Sequence, residues 1–278
     1  MRAVQGSSGV GARIAAAGIE TNYHDSGSGA PVILLHGSGP GVSAWTNWKR
    51  VMPALAGDFR VLAPDMAGFG YTERKPDQVY DIKHWVIHLI GFMDALGIAK
   101  ASLVGNSFGG SLAIAAAARH PDRFERLVLM GTPCGPFMMT PGLRAGWDYT
   151  PGEENMRRVM AHFPYDPAFI TDELVADRYA ASQIPGAQEG LRQLLAKPND
   201  EGDTPLSGMP EAIAAKIVHP TLVLHGREDR VIPLELGLRI AHAVPNAQMH
   251  IFGQCGHWVQ AERFDDFVAL THRHLASA

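Results

Sequence analysis

Six short apolar runs, each closing on a glycine or a polar residue, constrain the fold of this chain more than any other feature. They are Val32-Ile-Leu-Leu-His36, Arg60-Val-Leu-Ala-Pro-Asp65, Ala101-Ser-Leu-Val-Gly-Asn106, Leu127-Val-Leu-Met-Gly131, Thr221-Leu-Val-Leu-His-Gly226 and Gln248-Met-His-Ile-Phe252. Each is nearly continuous rather than alternating, the pattern of strands buried on both faces. Helical patterns lie between several of them. Asp81–Leu96 places Ile82, Trp85, Val86, Leu89 and Met93 on one face, with Gly97 set to end it. Phe108–Arg119 is alanine-rich and stops before His120-Pro121, because the residue preceding a proline is pushed out of the helical region. Strands alternating with helices predict an α/β fold, a mostly parallel central sheet flanked by helices on both sides.

The alternation fails between Gly135 and Ser207. That stretch reads as helices over 153–163, 171–182 and 188–197, with Thr171 as the cap of the second and no strand. It predicts a helical cap over residues 135–207, inserted into a core made of residues 1–134 and 208–278 and resuming with a helix near Pro210. A chain of 278 residues suits one large domain with such an insertion. With 46% hydrophobic and 19% charged residues it is an ordinary soluble composition, and a net charge of −4 gives no pull toward nucleic acid or an anionic membrane. Cys134 and Cys255 are too few for a metal cluster or a disulfide framework and read as small buried thiols. The Gly/Ser/Ala-rich first residues read as loose and lack the apolar core of a signal peptide. No run reaches the length of a membrane span. A cytoplasmic enzyme is the expectation.

Gly105-Asn-Ser107-Phe-Gly109 fits G-x-S-x-G and sits where a buried strand meets a helix, the strand–turn–helix of a nucleophile elbow. A serine hydroxyl needs a base, and a base needs an orienting acid. In the α/β-hydrolase fold these follow in the order Ser, Asp or Glu, His. Asp229 follows the run ending at Gly226, with Glu228 as its rival, and His257 follows the run ending at Phe252. The three catalytic candidates are therefore Ser107, Asp229 and His257. After the first core run, His36-Gly-Ser38-Gly-Pro-Gly41 leaves backbone N–H groups free for a developing oxyanion. The N–H groups of Ser38 and Phe108 would form that hole, with His36 in a structural role.

These motifs resemble a known family. His36-Gly-Ser-Gly-Pro-Gly41 with Ala44-Trp-Thr-Asn-Trp48, Gly105-Asn-Ser-Phe-Gly-Gly110, Gly226-Arg-Glu-Asp-Arg-Val-Ile-Pro233 and Cys255-Gly-His-Trp258 look like the meta-cleavage product hydrolases, carbon–carbon bond hydrolases of bacterial aromatic degradation. The resemblance is strongest to the 2-hydroxymuconic semialdehyde hydrolase branch and extends through Thr140-Pro-Gly and Trp147-Asp-Tyr-Thr-Pro151. It implies hydrolysis of the C5–C6 bond of a 2-hydroxy-6-oxohexa-2,4-dienoate, a small-molecule substrate, by a homo-oligomer. It also implies that Asn47, Asn106, Arg178 and Trp258 bind the carboxylate end. A guanidinium can grip a carboxylate with two hydrogen bonds. Taken alone, Arg178 reads equally as an exposed helix residue paired with Asp172 or Asp177, Trp258 as a packing residue and Asn47 as a turn residue. Phe137, Met138, Met139, Trp147 and Val231 are candidates for an apolar wall at the other end, or for plain core.

In the reaction so implied, the dienolate takes a proton at C5. Ser107, or a water activated through the Ser107–His257 pair, then attacks the C6 carbonyl. Neither path needs a metal or an organic cofactor. A general carboxylesterase or lactonase could use the same triad without a carboxylate clamp, and a small-molecule receptor could retain the triad without turnover. Dehalogenase and epoxide-hydrolase chemistry on this fold would want a carboxylate where Ser107 stands.

Overall fold

The computed structural model describes residues 9–75, 78, 80–188 and 205–277. Eight strands form one sheet: β1 (Ala12–Ala16), β2 (Ile19–Ser26), β3 (Ala30–Leu35), β4 (Phe59–Pro64), β5 (Ala101–Asn106), β6 (Phe124–Met130), β9 (Thr221–Gly226) and β10 (Ala247–Phe252). Their spatial order is β1-β2-β4-β3-β5-β6-β9-β10. From β4 to β10 every pairing is parallel, whereas β1–β2 and β2–β4 are antiparallel.

The sheet is the mostly parallel one expected, with one addition. Part of the segment read as loose is β1, a sheet-edge strand that pairs with β2. Neither strand forms a continuous apolar run, because β1 is largely exposed at the sheet edge and β2 mixes buried with exposed polar residues. β10 corrects the reading of uniform burial, because as the opposite edge it leaves Gln248, His250 and Ile251 exposed or half-exposed.

Both faces of the sheet are covered. Helix α3 (Ile82–Ala95), capped by the Asp81 side chain, and α4 (Phe108–Arg119) pack on one side. The short α1 (Ala44–Trp48) and α2 (Val51–Leu55), with α11 (Phe264–Ala276), cover the other, where Trp48 stacks on Phe267. Gly97 takes φ +66 after α3, the left-handed turn for which glycine was expected.

Between β6 and β9 the chain leaves the sheet. It forms α5 (Pro141–Trp147), α6 (Glu153–Met160) and α7 (Asp172–Ser182), the last capped by Thr171. Two three-residue strands, β7 (Pro136–Met138) and β8 (Pro205–Ser207), pair at its base. They correct the expectation of helices alone; runs this short carry no periodicity. The helix read over 188–197 lies outside the described residues. The chain returns through α8 (Glu211–Ala214), beginning after Pro210 as expected, and then β9 is followed by α9 (Leu234–Ala243) and β10 by α10 (Val259–Glu262). A third apolar cluster joins Met156, Met160 and Phe163 of the inserted segment to Val231, Ile232 and Trp258 of the sheet-end loops. Among the described residues no helix is long and apolar enough to cross a membrane.

Candidate active site

The elbow is built by glycines. Ser107 takes φ +53 and ψ −112, a conformation strained for a residue with a side chain, and its N–H donates to Met130 O at 2.7 Å. A Cβ on Gly109 would lie 2.2 Å from Leu35 O, and one on Gly105 would lie 2.5 Å from the Gly109 backbone. Only bare backbone therefore lets α4 start so close to β3 and β5. The carboxyl ends of these strands meet at one edge, since Leu35 pairs with Gly105 and Asn106 with Met130.

At the same edge His257 Nδ1 lies 2.7 Å from Asp229 Oδ2, both side chains almost wholly buried. Asp229 Oδ1 accepts the N–H groups of Val231 at 2.8 Å and Ile232 at 2.9 Å. The carboxylate is thus aimed from both oxygens, and holding Nδ1–H leaves Nε2 of the imidazole as the free base. Glu228, the rival acid, instead meets Arg227 and the Cys255 N–H. Gly131, directly after β6, bridges the two halves. Its preceding carbonyl holds the Ser107 N–H, and a Cβ added to it would lie 2.9 Å from the His257 ring. No hydrogen bond joins Ser107 Oγ to His257; catalytic contacts of this kind commonly tighten only around substrate.

Ser38, Ser107 and Phe108 line one cavity of about 720 Å³, together with Phe137, Leu143, Trp147 and Ile232. Neither the Ser38 N–H nor the Phe108 N–H has a hydrogen-bond partner among the described residues. His36, fully buried, holds the loop: its Nδ1 donates to Gly37 O at 2.7 Å and its Nε2 accepts the Met66 N–H at 3.0 Å. Burial lowers its pKa to about 4, so the ring is neutral.

The residues expected at the carboxylate end stand apart from this cavity. Asn47, Arg178 and Trp258 line a second one, of about 530 Å³. Asn106 links the two, because Gly37 sits against its Oδ1 while the Gly37 N–H donates to Asn47 Oδ1 at 3.2 Å. Arg178 is buried, not on an exposed face. Asp177 pairs with Lys49 at 2.6 Å and Asp172 with Arg157, so among the described residues the guanidinium has no carboxylate partner and lies 5.8 Å from the centroid of the Trp258 ring. Burial lowers its pKa to about 10. Arg178 Nε, Asn47 Nδ2 and Asn106 Nδ2 are all buried without a hydrogen-bond partner. Trp258 also stacks on Phe163 at 5.1 Å, so its packing role is real too. Of the apolar-wall candidates Phe137 and Trp147 line the serine cavity, Val231 is core, and Met138 is half exposed. Both cysteines are buried free thiols whose pKa values burial raises.

Two contacts were invisible in the sequence. Glu262 accepts the N–H groups of Gly256 and Trp258 on either side of His257, and Phe163 O accepts the His257 N–H at 2.7 Å. A carboxylate five residues after a candidate histidine was the one available hint of the first.

An eight-stranded sheet with a strained serine at an elbow and a buried His–Asp pair beyond later strands defines an α/β hydrolase, and the sequence model of the Alpha/beta hydrolase family matches residues 32–270. The chain is 49% identical to a 2-hydroxymuconate semialdehyde hydrolase of Pseudomonas sp. (strain CF600), over all of this chain and 98% of that protein. It is 49% identical to a 2-hydroxy-6-oxo-2,4-heptadienoate hydrolase of Pseudomonas putida, over 96% and 97%. A meta-cleavage product hydrolase from Pseudomonas fluorescens IP01, solved as a serine-to-alanine mutant complexed with acetates, superimposes with a TM-score of 0.91 at 47% identity, covering 96% of this chain and 97% of that one. The chain belongs to the alpha/beta hydrolase family and, within it, to the meta-cleavage product hydrolases.

Proposed function

We propose that this protein hydrolyses the C5–C6 bond of a 2-hydroxy-6-oxohexa-2,4-dienoate, either 2-hydroxymuconic semialdehyde or a 6-alkyl analogue. The products are 2-hydroxypenta-2,4-dienoate and a small carboxylic acid. One observation carries the reading at the site. Among the described residues Asn47 Nδ2, Asn106 Nδ2 and Arg178 Nε are buried donors without partners; Asn106 adjoins Ser107 in the elbow, and Asn47 and Arg178 line one cavity. Buried donors are costly when unpaired, so three together call for an anionic, acceptor-rich ligand.

In this scheme Arg178, Asn47, Asn106 and Trp258 hold the carboxylate end, and the charge they stabilise favours protonation at C5. His257, oriented by Asp229, takes the proton of Ser107 or of a water held by it, and the oxygen attacks C6. The oxyanion rests on the N–H groups of Ser38 and Phe108. As C5–C6 breaks, His257 returns its proton to C5 of the departing dienolate; where Ser107 was the nucleophile, a water deprotonated by His257 then hydrolyses the acyl ester, releasing the small carboxylic acid and the free serine. Residues 135–207 act as a cap, bringing Arg178 down from α7 over the sheet edge. The reading includes a cytoplasmic location, from the sequence, and homo-oligomeric assembly, from the family resemblance; light scattering of the purified protein tests the second.

The deciding assay follows bleaching of the yellow dienoates with hydrogen, methyl or phenyl at C6, beside a neutral aryl ester. Ser107→Ala is expected to lower kcat by several orders of magnitude, leaving roughly the 10³-fold that binding and an oxyanion hole supply. Near-normal turnover by Ser107→Ala, or equal turnover of esters and dienoates, would overturn the proposal.

A further inference from the structure

We infer that His225 is a positioning residue for the proposed base, fixing the turn that carries Asp229 and setting a ring N–H beside its carboxylate. The inference rests on the reading of Ser107, His257 and Asp229 as a triad. His225 is the penultimate residue of β9 and is wholly buried. Its Nε2 lies 2.9 Å from Ile232 O, and a carbonyl can only accept, so Nε2 carries the proton. The same nitrogen lies 3.5 Å from Asp229 Oδ2, the oxygen that holds His257.

A closed circuit results. The Ile232 N–H donates to Asp229 Oδ1, and the Ile232 carbonyl is tied back to β9 by His225. The turn from 229 to 232 is therefore anchored from both sides of residue 232, while the donating nitrogen, with its partial positive N–H, lies beside Oδ2. The other ring nitrogen, Nδ1, is buried without a partner, and a Cβ on Gly237 of α9 would lie 2.4 Å from it. Glycine at 237 is what admits the ring. The charged and titratable groups around His225 are Asp229 on its own loop, His257 after β10 and Glu235 on α9. Burial lowers the pKa of His225 despite Asp229, keeping the ring neutral.

An N–H beside a carboxylate offsets part of its charge. Removing it leaves Asp229 more strongly negative toward His257, which then holds its proton to higher pH. A purely structural residue would lower activity without moving that titration.

Glutamine places its amide nitrogen where the histidine Nε2 lies, whereas asparagine falls short. His225→Asn is expected to lower kcat about tenfold with KM unchanged and to move the acid limb of the kcat/KM profile up by about half a pH unit. His225→Gln restores both to within about twofold of the unmodified enzyme. In ¹⁵N-histidine-labelled unmodified protein, the NMR signal lost in His225→Gln should be a neutral ring protonated on Nε2 from pH 6 to 9. A proton on Nδ1 overturns the inference, and so does an unmoved acid limb in His225→Asn, whatever happens to kcat. Failure of the triad reading registers differently, as no turnover of any dienoate or ester by the unmodified enzyme, and removes the inference with it.

Discussion

Arg178→Met separates the stability of this protein from its function. In the free protein the guanidinium is 4% exposed, faces no carboxylate and has an unpartnered Nε. Its pKa falls from 12.5 to about 10, with burial as the leading cause. At about 1.4 kcal/mol per tenfold change in proton affinity, the charged form is penalised by about 3 kcal/mol. Methionine fills much of the same volume without the charge and forfeits the Trp258 contact, worth about 1 kcal/mol. The variant should be more stable by about 2 kcal/mol, raising Tm by roughly 3 °C. The substrate carboxylate loses its charge-assisted partner, so kcat/KM should fall about a hundredfold. Urea unfolding followed by tryptophan fluorescence, with dienoate bleaching on the same preparations, reads both effects. A less stable Arg178→Met with unchanged kcat/KM would refute the reasoning, because the arginine would then be serving the fold rather than an anion.

Asp229→Asn should lower kcat by about 10⁴ while circular dichroism stays native, since the amide cannot hold the productive tautomer of His257. Gly131→Ala adds a methyl 2.9 Å from the His257 ring at φ +52; kcat should fall about a hundredfold with little change in KM. Stability should also depend on pH. His36 and His88 are lowered to about 4 by burial, so their contribution is complete above about pH 6.5 and is lost as pH falls toward 4. Asp65, raised to about 6 by burial, works in the opposite sense, its contribution complete below 3.8 and lost as pH rises through 6. Two histidines outweigh one carboxyl, so the urea midpoint should report a net loss of about 2 kcal/mol between pH 7 and 5; a midpoint that rises would contradict it.

The inner strands could be read from the sequence because burial on both faces makes them continuous, and Gly105–Gly109 because its chemistry and its strand–turn–helix setting coincide. β1 and β2 carry no such run, since β1 is a mostly exposed edge and β2 mixes polar with apolar residues, while β10 can be read as a strand but not as an exposed edge. Arg178 shows the other limit. Its neighbours Asp172 and Asp177 made a surface pairing plausible, and only the fold reveals that Arg157 and Lys49 have claimed them. Asn47 sits in a five-residue helix, too short for any periodicity to announce. The resemblance to a family, rather than local pattern, pointed to both.

The hydrogen bond from the His257 N–H to Phe163 O ties the loop bearing the imidazole to the segment between β6 and β9. Phe163 also stacks on Trp258 and packs against the His257 ring. If that segment swings outward, it must surrender this bond and both ring contacts together. The imidazole's backbone and one face of its ring thus take their position from a segment outside the sheet, so a substitution at Phe163 would be felt at the proton acceptor without touching the serine.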